Sequence, residues 1–255
     1  MNFLSQAWSY IVTAANWSGR TGIGTRILEH LQYTAVAVAV SAVIAVPVGL
    51  LIGHTRRGSF LVVTAVNALR ALPTLGVLLL GVLLWGLGLL PPTVALCLLG
   101  IPPLLAGTYA GIANVDPRIT DAARSMGMTE RRVLGRVELP LAMPLILGGL
   151  RTATLQIVAT ATIAAYASLG GLGRYLIDGI KVRQFYLALV GALLVTVLAL
   201  LLDGLLALAV WASVPGTGRI RRRLPQTLPQ SLLDDEARVD SGAGPRPASL
   251  TVEGW

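Results

Sequence analysis

The sequence has few charged and few reactive residues. Of its 255 residues, 13% are Asp, Glu, Lys or Arg, whereas 55% are hydrophobic. A single cysteine excludes an intrachain disulfide, and two histidines, His30 and His54, are too few to predict a metal site. The chain has no Gly-x-x-x-x-Gly-Lys-Ser/Thr pattern, so we expect no nucleotide-hydrolysing site of its own. These absences argue against an enzyme and against a cofactor, and the apolar composition is typical of a protein that resides in a bilayer.

Long charge-free runs predict helices that cross the membrane. No Asp, Glu, Lys or Arg occurs between Ala71 and Val115, which is enough for two crossings of about 20 residues each. We predict an all-α integral membrane protein with about five spans, at roughly 31–53, 60–90, 93–112, 144–169 and 186–211. The second run is too long for one straight crossing, so we expect a bend at Pro73, which lacks an amide proton.

The two ends of the chain differ from this membrane domain, which we place at 31–215. Residues 1–30 are predicted to be an interfacial segment whose Trp8, Tyr10 and Trp17 lie at headgroup level; a short sixth span at 3–17 is the alternative. Residues 216–255 begin with arginines and continue with Pro, Gly, Ser and acidic residues. This composition predicts that 224–255 is disordered, and we expect deletion of 225–255 to leave the activity of the membrane domain intact.

The basic residues predict the orientation. The loops at 54–58 and 114–142 and the segment 212–223 together hold eleven of the arginines that flank the spans, and the other side keeps Arg20, Arg26, Arg174, Lys181 and Arg183. The positive-inside rule therefore places the first set, and the C-terminus, in the cytoplasm, and the N-terminus outside. The net charge of +8 is thereby explained by topology, so no nucleic-acid partner is expected.

The long polar loop from Asn114 to Pro140 has strong helix-boundary signals. Asp116 is a suitable N-cap, Pro117 suits the first helical position, and Gly127 suits the residue after the last turn. These signals predict a short helix at 117–126. Thr129 can cap a second helix, which we expect Pro140 to end or kink. Physical features alone leave two interpretations open: a docking element for another protein, or an ordinary basic loop.

The same loop resembles the signature loop of the permeases of binding-protein-dependent ABC importers. Its matching residues are Asp121-Ala122-Ala123, then three residues and Gly127, then nine residues and Val137-Glu138-Leu139-Pro140. Asp121 and Val137 stand where that family usually has Glu and Ile. The resemblance implies a type I permease fold, an ATPase-coupling role for Asp121, Ala122, Ala123, Gly127, Leu139 and Pro140, and three partners: a cytoplasmic ABC ATPase, a second permease subunit, identical or homologous, and an extracytoplasmic substrate-binding protein.

Further segments are similar to the osmoprotectant branch of that family, notably 111–117, 126–129, 138–142, 148–154 and 170–173. This resemblance implies a permease of the bacterial plasma membrane that imports quaternary amines such as glycine betaine, carnitine or choline. The alternatives are a self-contained secondary transporter, or an ABC permease for another small solute such as an amino acid or a sulfonate.

Polar residues within apolar runs are candidates for the translocation path. Arg70 and Asp203 are charged, and burying a charge in a membrane is costly, so such residues usually face protein or water. Their comparable depths suggest that they could pair. We predict that this pair, or each residue separately, borders the path or a gate; a structural ion pair is the alternative. Asn67 and Gln156 are added as polar candidates, with helix–helix hydrogen bonding as the alternative role.

Overall fold

The computed structural model describes residues 2–214, without the side chains of residues 59, 61 and 63. The C-terminal segment at 216–255, predicted to be basic and then disordered, lies outside this range. The helices of the described part are α1 Phe3–Val12, α2 Ile23–Thr55, α3 Ser59–Ala71, α4 Thr74–Trp85, α5 Leu90–Ala113, α6 Pro117–Ser125, α7 Glu130–Val133, α8 Leu139–Thr160, α9 Gly173–Lys181 and α10 Phe185–Ser213. Two 3₁₀ segments, Ala14–Trp17 and Ala161–Ala167, and a π turn, Leu134–Glu138, complete the helical elements.

The predicted spans are confirmed. Helix α2, helix α5, the helical stretch Glu130–Ala167 and helix α10 are each long and apolar enough to cross a membrane. A bent pair, Thr64–Ala71 and Thr74–Trp85, meets at 76° and gives a fifth crossing if it is counted as one span. The break falls at Leu72 and Pro73, as predicted, because Pro73 has no N–H to continue the helix. Helix α1, with 10 residues, is about 15 Å long and too short to cross the bilayer.

Helix α2 begins earlier than predicted. It starts at Ile23 rather than near residue 31 and has 33 residues, a length of about 50 Å. Its first turns carry Arg26 and Glu29, which pair at 2.9 Å. Glu29 also accepts a hydrogen bond of 2.7 Å from the backbone N–H of Gly171. These polar contacts keep the helix intact beyond the apolar run from which the span was predicted.

Helix α5 is the centre of the bundle and packs against α2, α3, α4 and α8. Glycines allow the closest approaches. A Cβ atom on Gly107 of α5 would lie 2.8 Å from the Cα atom of Gly149 in α8, and one on Gly149 would lie 2.8 Å from the Pro103 carbonyl oxygen. Small residues at such crossings let membrane helices gain packing contacts that bulkier side chains would prevent. On the α2 side, the thiol of Cys97 is buried and donates to the Ala37 carbonyl at 3.6 Å.

The end of the bundle opposite α6, here called the far end, is closed by α1 and α9. The hydroxyl of Tyr175 donates to the Thr21 carbonyl at 3.0 Å, and the ring of Tyr10 packs on Tyr175 edge to face, with centroids 6.1 Å apart. Burial, and the nearby Tyr10, raise the pKa of Tyr175 to about 12. These contacts tie α9 to the turn that precedes α2 and pack α1 against α9, and both α1 and α9 also contact α10.

Candidate functional site

Helix α6 is formed by strictly local signals at both ends. The Asp116 carboxylate accepts a hydrogen bond of 2.9 Å from the backbone N–H of Arg118, and Pro117 occupies the first turn. At the other end, Gly127 has φ +82° and its N–H donates to the Arg124 carbonyl, while the N–H of Met128 donates to the Ala123 carbonyl. This is a Schellman motif. The prediction of a helix at 117–126 is therefore correct to within one residue.

The six predicted coupling residues do not share one surface. Asp121, Ala122 and Gly127 are exposed, whereas Ala123 is 3% exposed. Leu139 is half-buried and packs against an apolar cluster that includes Ile112; Pro140 is exposed. The outer face of α6 is thus available for contact with another protein, while Ala123 and Leu139 fix the loop to the bundle.

Pro140 does not end the second helix, so that part of the expectation is wrong. The helix that starts at Glu130 widens into the π turn Leu134–Glu138, and α8 continues from Leu139. The N–H of Leu139 reaches back to the Leu134 carbonyl, one residue further than in an α-helix. The wider turn comes just before Pro140, whose ring would crowd a regular α-helical turn and whose amide proton is missing.

Charged side chains cluster beside α6. Arg124 pairs with Glu130, with Nε to Oε1 at 2.9 Å, and with Asp121, with Nη1 to Oδ1 at 3.0 Å. The hydrogen bonds to Glu130, and then that to Asp121, raise the pKa of the Arg124 guanidinium. The cluster borders a cavity of about 310 Å³ that lies between α6 and the end of α2 and that His54 also lines.

His54 and Glu138 were not predicted to meet. Nδ1 of His54 lies 2.6 Å from Oε2 of Glu138, across a sequence separation of 84 residues, and Nε2 lies 3.2 Å from Oε2 of Glu130. The side chain of Glu138 is 5% exposed. The sequence held one signal for this contact. Glu138 lies in the signature loop directly before an apolar span, and a carboxylate in that position needs a partner.

The structure corrects the predicted Arg70–Asp203 pair. Asp203 instead forms a bidentate ion pair with Arg151, with Nε to Oδ1 at 2.6 Å and Nη2 to Oδ2 at 2.8 Å. Equal depth along two helices says nothing about which sides of those helices face each other, and α10 packs on α8 rather than on α3. Arg70 and Asn67 are exposed on α3, and Gln156 is half-buried on α8. Among the residues described, Arg70 has no ion-pair partner.

Known proteins share both the loop at 114–140 and the helices around it. The family described as binding-protein-dependent transport system inner membrane component matches residues 45–211. The chain belongs to this family. It is therefore a transport subunit and not an enzyme, as predicted, and the resemblance in the signature loop is confirmed.

Members of the family with assigned roles are similar over most of their length. The choline transport system permease protein OpuBB of Bacillus subtilis is 35% identical over 71% of this chain and 83% of its own. The glycine betaine/carnitine/choline permease protein OpuCB of the same organism is 36% identical over 70% and 82%. The osmoprotectant import permease protein OsmW of Salmonella typhimurium is 34% identical over 70% and 85%. These relatives confirm the resemblance to the osmoprotectant branch.

Solved structures of the family share the fold. The inward-facing MetNI methionine ABC transporter matches with a TM-score of 0.64 at 21% identity, over 74% of this chain and 94% of its own. An amino acid ABC transporter with histidines matches with a TM-score of 0.60 at 24% identity, over 83% and 99%. At this level of identity the likeness confirms the type I importer permease fold and says nothing of the transported solute.

Proposed function

We propose that the chain is the permease subunit of an ATP-driven importer of quaternary-amine osmoprotectants such as glycine betaine, carnitine or choline. The observation that carries the coupling part of this proposal is helix α6, whose exposed Ala122 leaves room for another protein's backbone to approach. The names of its relatives support the substrate class. An amino acid or a sulfonate is the alternative solute, since the shared fold does not discriminate between these solutes.

The proposed assembly has three partners. A separate ABC ATPase engages α6, since the sequence holds no phosphate-binding loop of its own. A second permease subunit completes the path, because five spans rarely enclose one alone. An extracytoplasmic binding protein delivers the solute at the far end. In this arrangement α6 faces the cytoplasm and the N-terminus lies outside, which agrees with the excess of arginine near α6.

The proposed mechanism is alternating access by rigid-body motion. Closure of two ATPases on ATP moves the docked α6 helices together, and the bundles attached to them switch the path from inward-facing to outward-facing. The exposed Asn67 and Arg70 on α3 and the half-buried Gln156 on α8 remain the candidates for residues that border the path. Asp203 is a weaker candidate, since both of its carboxylate oxygens are engaged by Arg151.

Co-purification of the detergent-solubilised chain, followed by mass spectrometry, tests the docking role. The informative variant is Ala122→Asp, because Ala122 is exposed, whereas Ala123→Asp would also bury a charge. Ala15→Asp makes the same change at an exposed position of the far end and serves as the matched control. We expect an ABC ATPase to co-purify with the unchanged chain and with Ala15→Asp, and to be lost with Ala122→Asp. Absence of any ATPase from the folded, unchanged chain would contradict the proposal.

Ligand binding by the partner receptor tests the substrate class. The binding protein encoded with this permease is titrated calorimetrically with glycine betaine, choline and carnitine, and separately with methionine and with taurine as the amino acid and the sulfonate. Binding of a quaternary amine alone is the expected result. Binding of methionine or taurine alone would overturn the substrate assignment and leave the importer assignment standing.

A further inference from the structure

His54 lies outside the loop that resembles the family signature, yet it contacts that loop at two points. It is the penultimate residue of α2, a helix that runs the full depth of the bundle against α5. One ring nitrogen faces Glu138, in the π turn at the entry to α8, and the other faces Glu130, the first residue of α7. A single side chain therefore joins the end of α2 to the first residue of α7 and to the last residue of the π turn.

Charged side chains continue this connection from α7 to α6. Both carboxylate oxygens of Glu130 accept hydrogen bonds from Arg124, at 2.9 and 3.1 Å, and Arg124 also donates to Asp121. We call this set of linked side chains the α2–α6 network; it consists of Asp121, Arg124, Glu130, His54 and Glu138. A second link runs in parallel, since Arg56 donates to the Val115 carbonyl at 3.2 Å.

The His54 end of the α2–α6 network is more deeply buried than its α6 end, and we therefore expect it to be stiffer. The carboxylate of Glu138 is 5% exposed and His54 is 15% exposed, whereas Glu130 and Asp121 are 59% and 69% exposed. Exposed ion pairs are weak and exchange with water, but a buried carboxylate that loses its partner is strongly disfavoured. The two ring nitrogens of His54 face two different carboxylates, so one side chain contacts both Glu138 and Glu130.

Backbone packing extends the stiff region into the membrane. A Cβ atom on Gly53, next to His54, would lie 2.8 Å from the Ile112 Cβ atom of α5, and one on Gly49 would lie 2.7 Å from the Thr108 Cβ atom. The last two turns of α2 therefore sit directly on the last turns of α5. Movement of His54 relative to the bundle is prevented by this packing, so force applied at Glu138 or Glu130 acts on α2 and α5 together.

We infer that His54 is the positioning residue that makes the end of α2 part of the rigid body moved by the docking helix. This inference rests on the proposed function, because it needs an ATPase that moves α6. It assigns coupling to a residue outside the signature loop. Without His54, α6 and α7 would still dock on the ATPase, but their displacement would reach α2 only through α5 and the hydrogen bond from Arg56 to the Val115 carbonyl, and therefore less completely.

Hydrogen exchange in the co-purified complex of chain and ATPase tests this inference, with ATP plus vanadate compared with no nucleotide. In the unchanged complex we expect the amides of 50–56 and of 117–133 to change their exchange rates together. In His54→Leu the response at 117–133 should persist, while the response at 50–56 should fall by about fivefold or more, the lower end of typical coupling between sites. His54→Gln keeps one donor for Glu138 and should retain an intermediate response.

Thr55→Ala is the matched control, since the Thr55 hydroxyl donates only within α2. An unchanged response at 50–56 in His54→Leu, or an equal loss in Thr55→Ala, would overturn the inference. Glu138→Gln provides a second route if His54→Leu does not assemble, and it should reduce the same response, although the contact between His54 and Glu130 remains. Failure of the proposed function looks different: no ATPase would co-purify with the unchanged chain, or 117–133 would not respond to nucleotide at all.

Discussion

Arg151 and Asp203 join α8 to α10 through two nearly parallel hydrogen bonds of 2.6 and 2.8 Å. Both residues lie within helices long and apolar enough to cross the membrane. Their side chains are 38% and 30% exposed in the isolated chain, so the pair is partly reachable from the surface of the bundle. A bidentate geometry gives specificity as well as attraction, and it fixes the rotation of α10 relative to α8.

Removal of one member of this pair should be worse than removal of both. Asp203→Asn leaves the Arg151 guanidinium without a counter-charge in an apolar environment, which is unfavourable. We expect a lower unfolding midpoint for Asp203→Asn in lipid nanodiscs, and recovery of most of that loss in the double variant Arg151→Met with Asp203→Leu. Equal midpoints for the single and double variants would show that the pair is not energetically coupled.

Two adjacent glycines in α8 should respond oppositely to the same substitution. A Cβ atom on Gly149 would collide with the backbone of α5, whereas one on Gly148 meets nothing within 4 Å. Gly149→Ala should therefore lower the free energy of unfolding by about 1–3 kcal/mol. Gly148→Ala should raise it slightly, since alanine is favoured over glycine in a helix by about 0.5–1 kcal/mol. Unfolding in mixed detergent measures both, and a loss for Gly148→Ala would contradict the packing described.

The Schellman end of α6 should require glycine at 127. With φ +82°, Gly127→Ala places a Cβ atom in the left-handed region at a cost of about 1 kcal/mol or more. We expect faster hydrogen exchange in α6 and weaker capture of the ATPase. Gly135→Ala is the control, because Gly135 lies in helical backbone with open space around it. Equal exchange in the two variants would argue against the motif's role.

Tyr175 should ionise later than an ordinary tyrosine. Its folded-state pKa of about 12 lies above the value near 10 of an unfolded chain. A raised pKa means that the stabilisation is complete below about pH 10 and is lost as the pH rises towards 12. Tyrosinate absorbance of the folded chain, minus that of Tyr175→Phe, should show one group that titrates near pH 12. A difference curve centred near pH 10 would exclude the buried position.

The parts of the fold that local chemistry determines were predicted well from the sequence. The bounds of α6 follow from Asp116, Pro117 and Gly127, and the bend in the second span follows from Pro73, because each of these residues acts on its own neighbours. The long apolar runs predicted the spans for the same reason.

The sequence does not show which faces of the helices pack against each other, so contacts between distant helices could not be predicted in this way. Depth along the helices suggests an Arg70–Asp203 pair, but Asp203 pairs with Arg151, which lies at the edge of a charge-free run. His54 and Glu138 meet because α2 ends and α8 begins at the same end of the bundle, where both helices pack against α5.

The buried position of Cys97 makes this chain behave as a cysteine-free protein towards reagents in water. The sequence has no other cysteine, and this one is 7% exposed with its thiol directed at the Ala37 carbonyl. A cysteine introduced at an exposed position, such as Ala122 on α6 or Ala15 at the far end, would therefore be the single site that a membrane-impermeant maleimide modifies. Labelling of intact cells and of inverted vesicles would then assign each end of the bundle to its side of the membrane without removing any native residue from the core.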